Sequence, residues 1–256
     1  MDNLIIGKKF GSADLAYYNK SYYLYLYPNN LFAAVLTGVL HPFIREYKDN
    51  TTSLYNKYLK VIKPLSLIGL FTMLLFFFCS EEIMLIMFGN NWLPAAACLK
   101  CLSICMWTQM MSSVPGTFFM GMERTDQMFK CGIINLSLII ISIMLGVYFE
   151  SIYTLAFFIG ISYNIIFLST NYILINKTMK FSFMKFLKTF RTDFAFLVIS
   201  VLFLSLLPDI NLANLWLTFI LKATIIVVLY SLYIILTNQY KILTSLLISF
   251  LHRNEK

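Results

Sequence analysis

The sequence predicts an all-α membrane protein, a polytopic bundle of about seven transmembrane helices. Three observations predict it: an apolar composition, apolar runs of spanning length, and basic residues confined to alternate connections. Hydrophobic residues fill 59% of the 256 positions and charged residues only 12%, with a mean hydropathy of +0.76. Soluble domains carry about twice that share of charge. The net charge of +8 would also suit phosphate-backbone binding, but the places where lysine and arginine fall favour membrane topology, so no nucleic-acid partner is expected.

Residues 1–21 read as the end of a preceding helix plus an external loop, since MDNLIIG has the character of a finishing apolar segment. The first span covers about residues 22–44 and opens in a tyrosine run (Tyr17, Tyr18, Tyr22, Tyr23, Tyr25, Tyr27), whose amphipathic rings suit a membrane interface. Pro28 is expected to kink it. The second span covers about residues 61–80, with Pro64 in its first turn, where a missing N–H costs nothing. Glu81 and Glu82 follow, then IMLIMFG over residues 83–89, too short to cross.

The third span is expected over about residues 94–120, with Asn91 as its cap, Pro94 in its first turn and an interruption at Pro115 and Gly116. The fourth and fifth, about 129–148 and 152–175, are parted only by Phe149, Glu150 and Ser151 and read as a helical hairpin. The sixth, about 193–207, is short enough to be tilted or extended by its flanks, and the seventh, about 212–236, carries Lys222. Residues 237–256 form an amphipathic tail that lies along the membrane surface or extends the last helix.

Charge sets the orientation. Arg45, Lys48, Lys57, Lys60 and Lys63 follow the first span; Arg124 and Lys130 follow the third; Lys177, Lys180, Lys185, Lys188 and Arg191 follow the fifth; Lys241, Arg253 and Lys256 end the chain. The alternate connections hold Glu81 and Glu82, then Glu150, then Asp209, with no lysine or arginine. That alternation places the basic loops and the C-terminus in the cytoplasm. Lys8, Lys9 and Lys20 depart from it, as an external loop between two spans is free to do, and this is a second sign that an N-terminal half precedes the chain.

No catalytic constellation stands out. The sequence has no GxxxxGK[ST] phosphate loop, no HExxH and no GxSxG, and only two histidines, so a P-loop ATPase is excluded and an enzyme is not expected. Cys98, Cys101 and Cys105 share one helical face, yet no fourth ligand stands near them in sequence. With Cys79 and Cys131 they read as small buried packing residues, and no metal or cofactor is expected.

The order of features resembles the C-terminal half of the bacterial oligosaccharide flippases, the polysaccharide transport branch of the multidrug/oligosaccharidyl-lipid/polysaccharide (MOP) exporter superfamily. The stretch DNLIIGKKFGSADLAYYNKSYYLYLYP carries the family-like Asp2, Asn3, Gly7, Gly11, Leu15, Tyr17 or Tyr18, and Pro28. HPFIREYKDN supplies a helix end with Pro42, MFGNNWLPAA the step Phe88, Gly89, Trp92, Pro94 and Ala95, and GMERTDQMFK the turn with Gly121 and Arg124. The likeness spans roughly residues 1–180. It implies one lobe of a two-lobed, MATE-like transporter, its seven spans being helices eight to fourteen of the whole, with the other lobe missing or replaced by a second copy. It also implies export of a polyprenyl-diphosphate-linked oligosaccharide across the bacterial inner membrane for O-antigen, capsule or other surface polysaccharide, with that lipid-linked sugar and membrane lipid as partners.

Charges within spans are costly, about 2.5–3.5 kcal/mol at a helix centre, so each one marks a candidate substrate-binding residue. Lys100 in the third span and Lys222 in the seventh are suited to a diphosphate; the alternatives are snorkelling for Lys100 and a polar partner on a neighbouring helix for Lys222. Arg45 and His41 stand where a head group would first be met, with a positive-inside anchor and a helix-end residue as alternatives. Asp2 and Asn3 are candidates for a cation or sugar hydroxyls. Gln109, with Asn135 and Asn164, either lines a polar path or bonds between helices.

Two other functions remain open. A membrane-embedded glycan polymerase or glycosyltransferase also handles polyprenyl-linked sugars, but would display a sizeable basic external loop, whereas the external connections here are short and acidic. A drug/cation antiporter of the same superfamily would need coupling carboxylates inside the bundle, and the spans carry almost none.

Overall fold

The computed structural model describes residues 2–46, 50–207 and 214–242, with side chains for all of these except 2–5, 32–43, 45 and 46. The described residues are helical, with no strand among them. Helix α1 (Asp2–Phe10) meets α2 (Ser12–Glu46) at Gly11, whose φ of +93° is open to glycine at no steric cost. The 35 residues of α2 run unbroken through Pro28.

Helix α3 (Thr51–Phe78) is capped by Asn50, whose Oδ1 accepts the Ser53 backbone N–H at 3.0 Å. It begins at Thr51 and not near 61, so Pro64 lies in its interior and not in a first turn. The apolar run marked only the part of this helix that needs lipid or core around it. The polar turns at its start are held by the cap and by Leu54, Tyr55 and Tyr58, all buried. At Cys79 the chain turns into α4 (Ser80–Phe88), then passes through Gly89, φ +85°, into a single 3₁₀ turn over Asn90–Trp92.

The segment expected as the third span is three short helices: α5 (Leu93–Ser103), α6 (Met106–Met111) and α7 (Ser113–Gly121). Asn91 does not cap it; Trp92 holds the N-cap position without a side-chain bond, and Pro94 falls in the first turn. The interruption expected at Pro115 and Gly116 falls one turn earlier, at Ser112. Proline removes the bond to the carbonyl four residues back, here Met111, so the helix breaks before Pro115, which is then accommodated in the first turn of α7.

Helices α8 (Thr125–Tyr148) and α9 (Ile152–Tyr172, continued by a π turn over Ile173–Thr178) form an antiparallel hairpin. Its turn places Glu150 at φ +51°, and the Lys9 Nζ donates to Glu150 Oε1 at 2.8 Å. That hydrogen bond and charge hold the Glu150 carboxyl below its ordinary range. A Cβ added at Gly146 would lie 2.4 Å from the Leu155 Cβ, so the two helices touch through that glycine.

Helix α10 (Phe183–Thr189) and α11 (Arg191–Leu206) are bent by 48° at Phe190, and α12 (Leu215–Leu236) follows. Among the described residues, four of the seven expected spans are single helices long and apolar enough to cross a membrane: α3, α8, α9 with its π turn, and α12. The bent pair α10–α11 makes a fifth. Residues 94–120 are the three short helices, and residues 22–44 lie on α2. The tail beyond residue 242, and Asp209, lie outside the described residues.

Packing grades from the centre outward. In the most apolar window of α3, 56% of residues are buried, against 11% for α12, so α3 is the inner helix and α12 a peripheral one. Leu206, Leu236 and Met144 are 84%, 79% and 67% exposed. So broad an outward apolar surface is stable only against lipid, and this is a multi-pass membrane protein. Backbones approach through small residues: Gly69 of α3 faces the Trp107 carbonyl, and Gly160 of α9 faces that of Cys101.

Candidate functional site

Two acidic residues open α4, where a helix N-terminus favours negative charge: Glu81 and Glu82. Facing them, α12 carries Lys222 roughly 10 Å along from its start at Leu215, at 1.5 Å per residue. The Lys222 Nζ donates to Glu82 Oε1 at 2.6 Å, with side-chain exposures of 23% and 5%. The second carboxylate oxygen, Oε2, is buried and accepts no hydrogen bond among the described residues. A buried pair of this kind stabilises little by itself, and it costs several kcal/mol to break by removing one partner.

The pair lines a cavity of about 550 Å³ between α3, α4, α11 and α12, together with Glu81, Lys100, Phe77 and Ser205. Lys100 reaches it from α5, with its ammonium 5.2 Å from the centre of the Phe77 ring. Two of the expected site residues, Lys100 and Lys222, therefore share one cavity although they lie on different helices. Lys222 is neutralised by Glu82, which leaves Lys100 as the cation better placed to meet an anion, and Glu82 Oε2 as an acceptor for a hydroxyl.

Gln109 lies elsewhere, in a smaller cleft of about 270 Å³ that it lines with Ser112, Asn135 and Asn171. Asn164 is bonded between helices through its Oδ1, which accepts from Thr108 Oγ1 of α6 at 2.9 Å, while its Nδ2 donates to the Gly160 carbonyl of its own helix at 3.0 Å. The side chains of Asp2, Asn3, His41 and Arg45 lie outside the described residues; their backbones belong to α1 and to the end of α2. Cys79, Cys98 and Cys105 are buried, and among the described residues no His, Cys, Asp or Glu group is assembled to hold a metal.

Sequence reasoning missed two carboxylates. By sequence Glu82 belongs only to an acidic external connection, yet a lysine well inside an apolar helix needs a partner, and few carboxylates can supply it. By sequence Asp193 marks only the start of a span. It is fully buried and accepts from Lys63 Nζ at 2.6 Å, Ser66 Oγ at 2.7 Å, the Tyr233 hydroxyl at 2.5 Å and Gln239 Nε2 at 3.3 Å. The Trp107 indole N–H donates in turn to Ser66 Oγ at 2.8 Å. Asp193 thereby ties α11 to α3 and to α12 and its following turn.

Residues 1–97 match the family described as "Polysaccharide biosynthesis protein". The fold is similar to that of the lipid II flippase MurJ in its inward closed conformation, at a TM-score of 0.67 and 18% identity, covering 89% of this chain and 48% of that one. The chain thus spans about half the length of that flippase. Comparison with curated proteins gave no match. Over residues 1–97 the chain is thus similar to the polysaccharide biosynthesis proteins, and its fold is similar to that of a lipid II flippase.

Proposed function

We propose that this chain is the C-terminal lobe of a transporter that moves a polyprenyl-diphosphate-linked oligosaccharide from the cytoplasmic to the outer leaflet of the bacterial inner membrane, for surface polysaccharides such as O-antigen or capsule. The observation that carries the reading is the cavity that brings Lys100 together with the Lys222–Glu82 pair from three helices of a largely apolar bundle. Charge retained in such surroundings against its insertion cost points to a polar substrate. The N-terminal family match and the flippase-like fold support the same class.

In this reading Lys100 attracts the diphosphate and Glu82 Oε2 accepts a sugar hydroxyl. The chain itself acts as a transporter and not as an enzyme, working with a first lobe or with a second copy, since alternating access needs one bundle rocking against another around a central site. The basic connections and the C-terminal tail face the cytoplasm. The test is removal of the protein from the cells that make it. Loss of surface glycan with build-up of lipid-linked oligosaccharide in the inner leaflet is expected, and glycan made at the normal level would contradict the assignment.

A further inference from the structure

A second large cleft, about 580 Å³, shares no lining residue with the ion-paired cavity and lies between α6, α9 and the bent pair α10–α11. Its walls are almost wholly apolar, with the buried Phe167, Phe186 and Phe190 and the half-buried Trp107 among them, and three rim residues that face outward: Leu168 at 42%, Met184 at 63% and Phe194 at 57% exposure. An apolar cleft whose rim is also apolar opens sideways to lipid and not to water. Only one edge is charged. Lys188, in the last turn of α10, and Arg191, the first residue of α11, both line it, both are exposed, and neither makes an ion pair with a described residue.

The nearest carboxylate in sequence, Asp193, is unavailable to them because it is buried and already paired with Lys63. The edge therefore keeps two uncompensated cations at the level where α10 bends into α11, within the stretch that also holds Lys177, Lys180 and Lys185. A cleft of this size falls within the range of about 300–1,000 Å³ seen for ligand sites. Apolar depth beneath a cationic lip is complementary to one kind of molecule in a bilayer, an anionic phospholipid, its acyl chain among the phenylalanines and its phosphate on the lip. Basic pockets between helices on the cytoplasmic side select such head groups.

We propose that the cleft between α6, α9, α10 and α11 is a binding site for an anionic phospholipid of the cytoplasmic leaflet, with Lys188 and Arg191 holding the phosphate. The inference takes its orientation from the basic connections and does not depend on the transported substrate. A lipid seated there braces the 48° bend, so it acts on the same α10–α11 joint that Asp193 ties to α3.

The test uses the purified chain in nanodiscs whose lipid is phosphatidylcholine with a varied fraction of phosphatidylglycerol, reading the phospholipid retained after detergent extraction by native mass spectrometry. Selective retention of phosphatidylglycerol is expected. It should fall about ten- to thirtyfold in the Lys188→Ala/Arg191→Ala double variant and return in Lys188→Arg/Arg191→Lys, which keeps both charges. Leu168→Trp, which fills the mouth and leaves the cations in place, should also reduce retention. Equal retention of neutral and anionic lipid, or no loss in the alanine double variant, would overturn the proposal. So would displacement of phosphatidylglycerol by a long-chain polyprenyl phosphate at equimolar amounts, since the cleft would then belong to the transported lipid.

Discussion

Lys222 and Glu82 lie 140 positions apart and meet at 2.6 Å, joining the last described span to the first turn of α4. The carboxylate is 5% exposed and has one oxygen committed to the ammonium. Removing either partner strands a buried charge, so Glu82→Leu or Lys222→Leu alone should cost about 3 kcal/mol, and the double replacement should return to within about 1 kcal/mol of the original. Thermal unfolding of the purified protein in detergent measures this. Single and double variants of equal stability would show that the contact is not energetically coupled.

Asp193 presents a graded case. Asp193→Ala leaves the Lys63 ammonium and the Tyr233 hydroxyl without their shared acceptor and should cost about 3 kcal/mol or more. Tyr233→Phe removes the bond it donates to the Asp193 carboxylate and the one it accepts from Gln239 Nε2, and should cost about 2 kcal/mol. Limited proteolysis at the α11–α12 end should rise in the same order. A larger effect from the tyrosine than from the aspartate would contradict the network.

Two glycines on α8 separate close packing from helix propensity. At Gly146 an added Cβ would meet Leu155 at 2.4 Å, so Gly146→Ala should destabilise the hairpin by about 1–3 kcal/mol. At Gly132 nothing lies within 4 Å, and Gly132→Ala should be neutral or stabilising by up to about 1 kcal/mol. The same unfolding measurement distinguishes them, and equal responses would remove the hairpin contact from the account.

The fold class was legible because its signal is long-range and redundant: apolar runs and alternating charge both report the bilayer. Helix limits were less so. The first turns of α3 are polar and depend on Asn50 and on buried Tyr58, which hydropathy does not register. The α5–α7 breaks at Cys105 and Ser112 were hidden because a run of apolar residues reads alike whether it forms one helix or three. Of the site, Lys100 and Lys222 were visible as charges in apolar surroundings, whereas Glu82 and Asp193 sat at span ends, where a carboxylate raises no alarm. Only the fold brings each to its lysine.

Orientation can be read directly. A cysteine introduced by Lys180→Cys should be shielded from a membrane-impermeant thiol reagent in intact cells, and one introduced by Glu150→Cys should be labelled, because the positive-inside pattern puts the two connections on opposite sides. Labelling of both from outside would reverse or break the topology.

The transport claim is tested most directly by placing Glu82→Leu/Lys222→Leu and Lys100→Met in the full transporter and following the arrival of lipid-linked oligosaccharide at the outer leaflet with an impermeant glycan-modifying reagent. Folded, stably inserted variants that deliver at least tenfold less lipid-linked sugar are the predicted result. Delivery at the unaltered rate by both variants would mean that the cavity does not handle the head group.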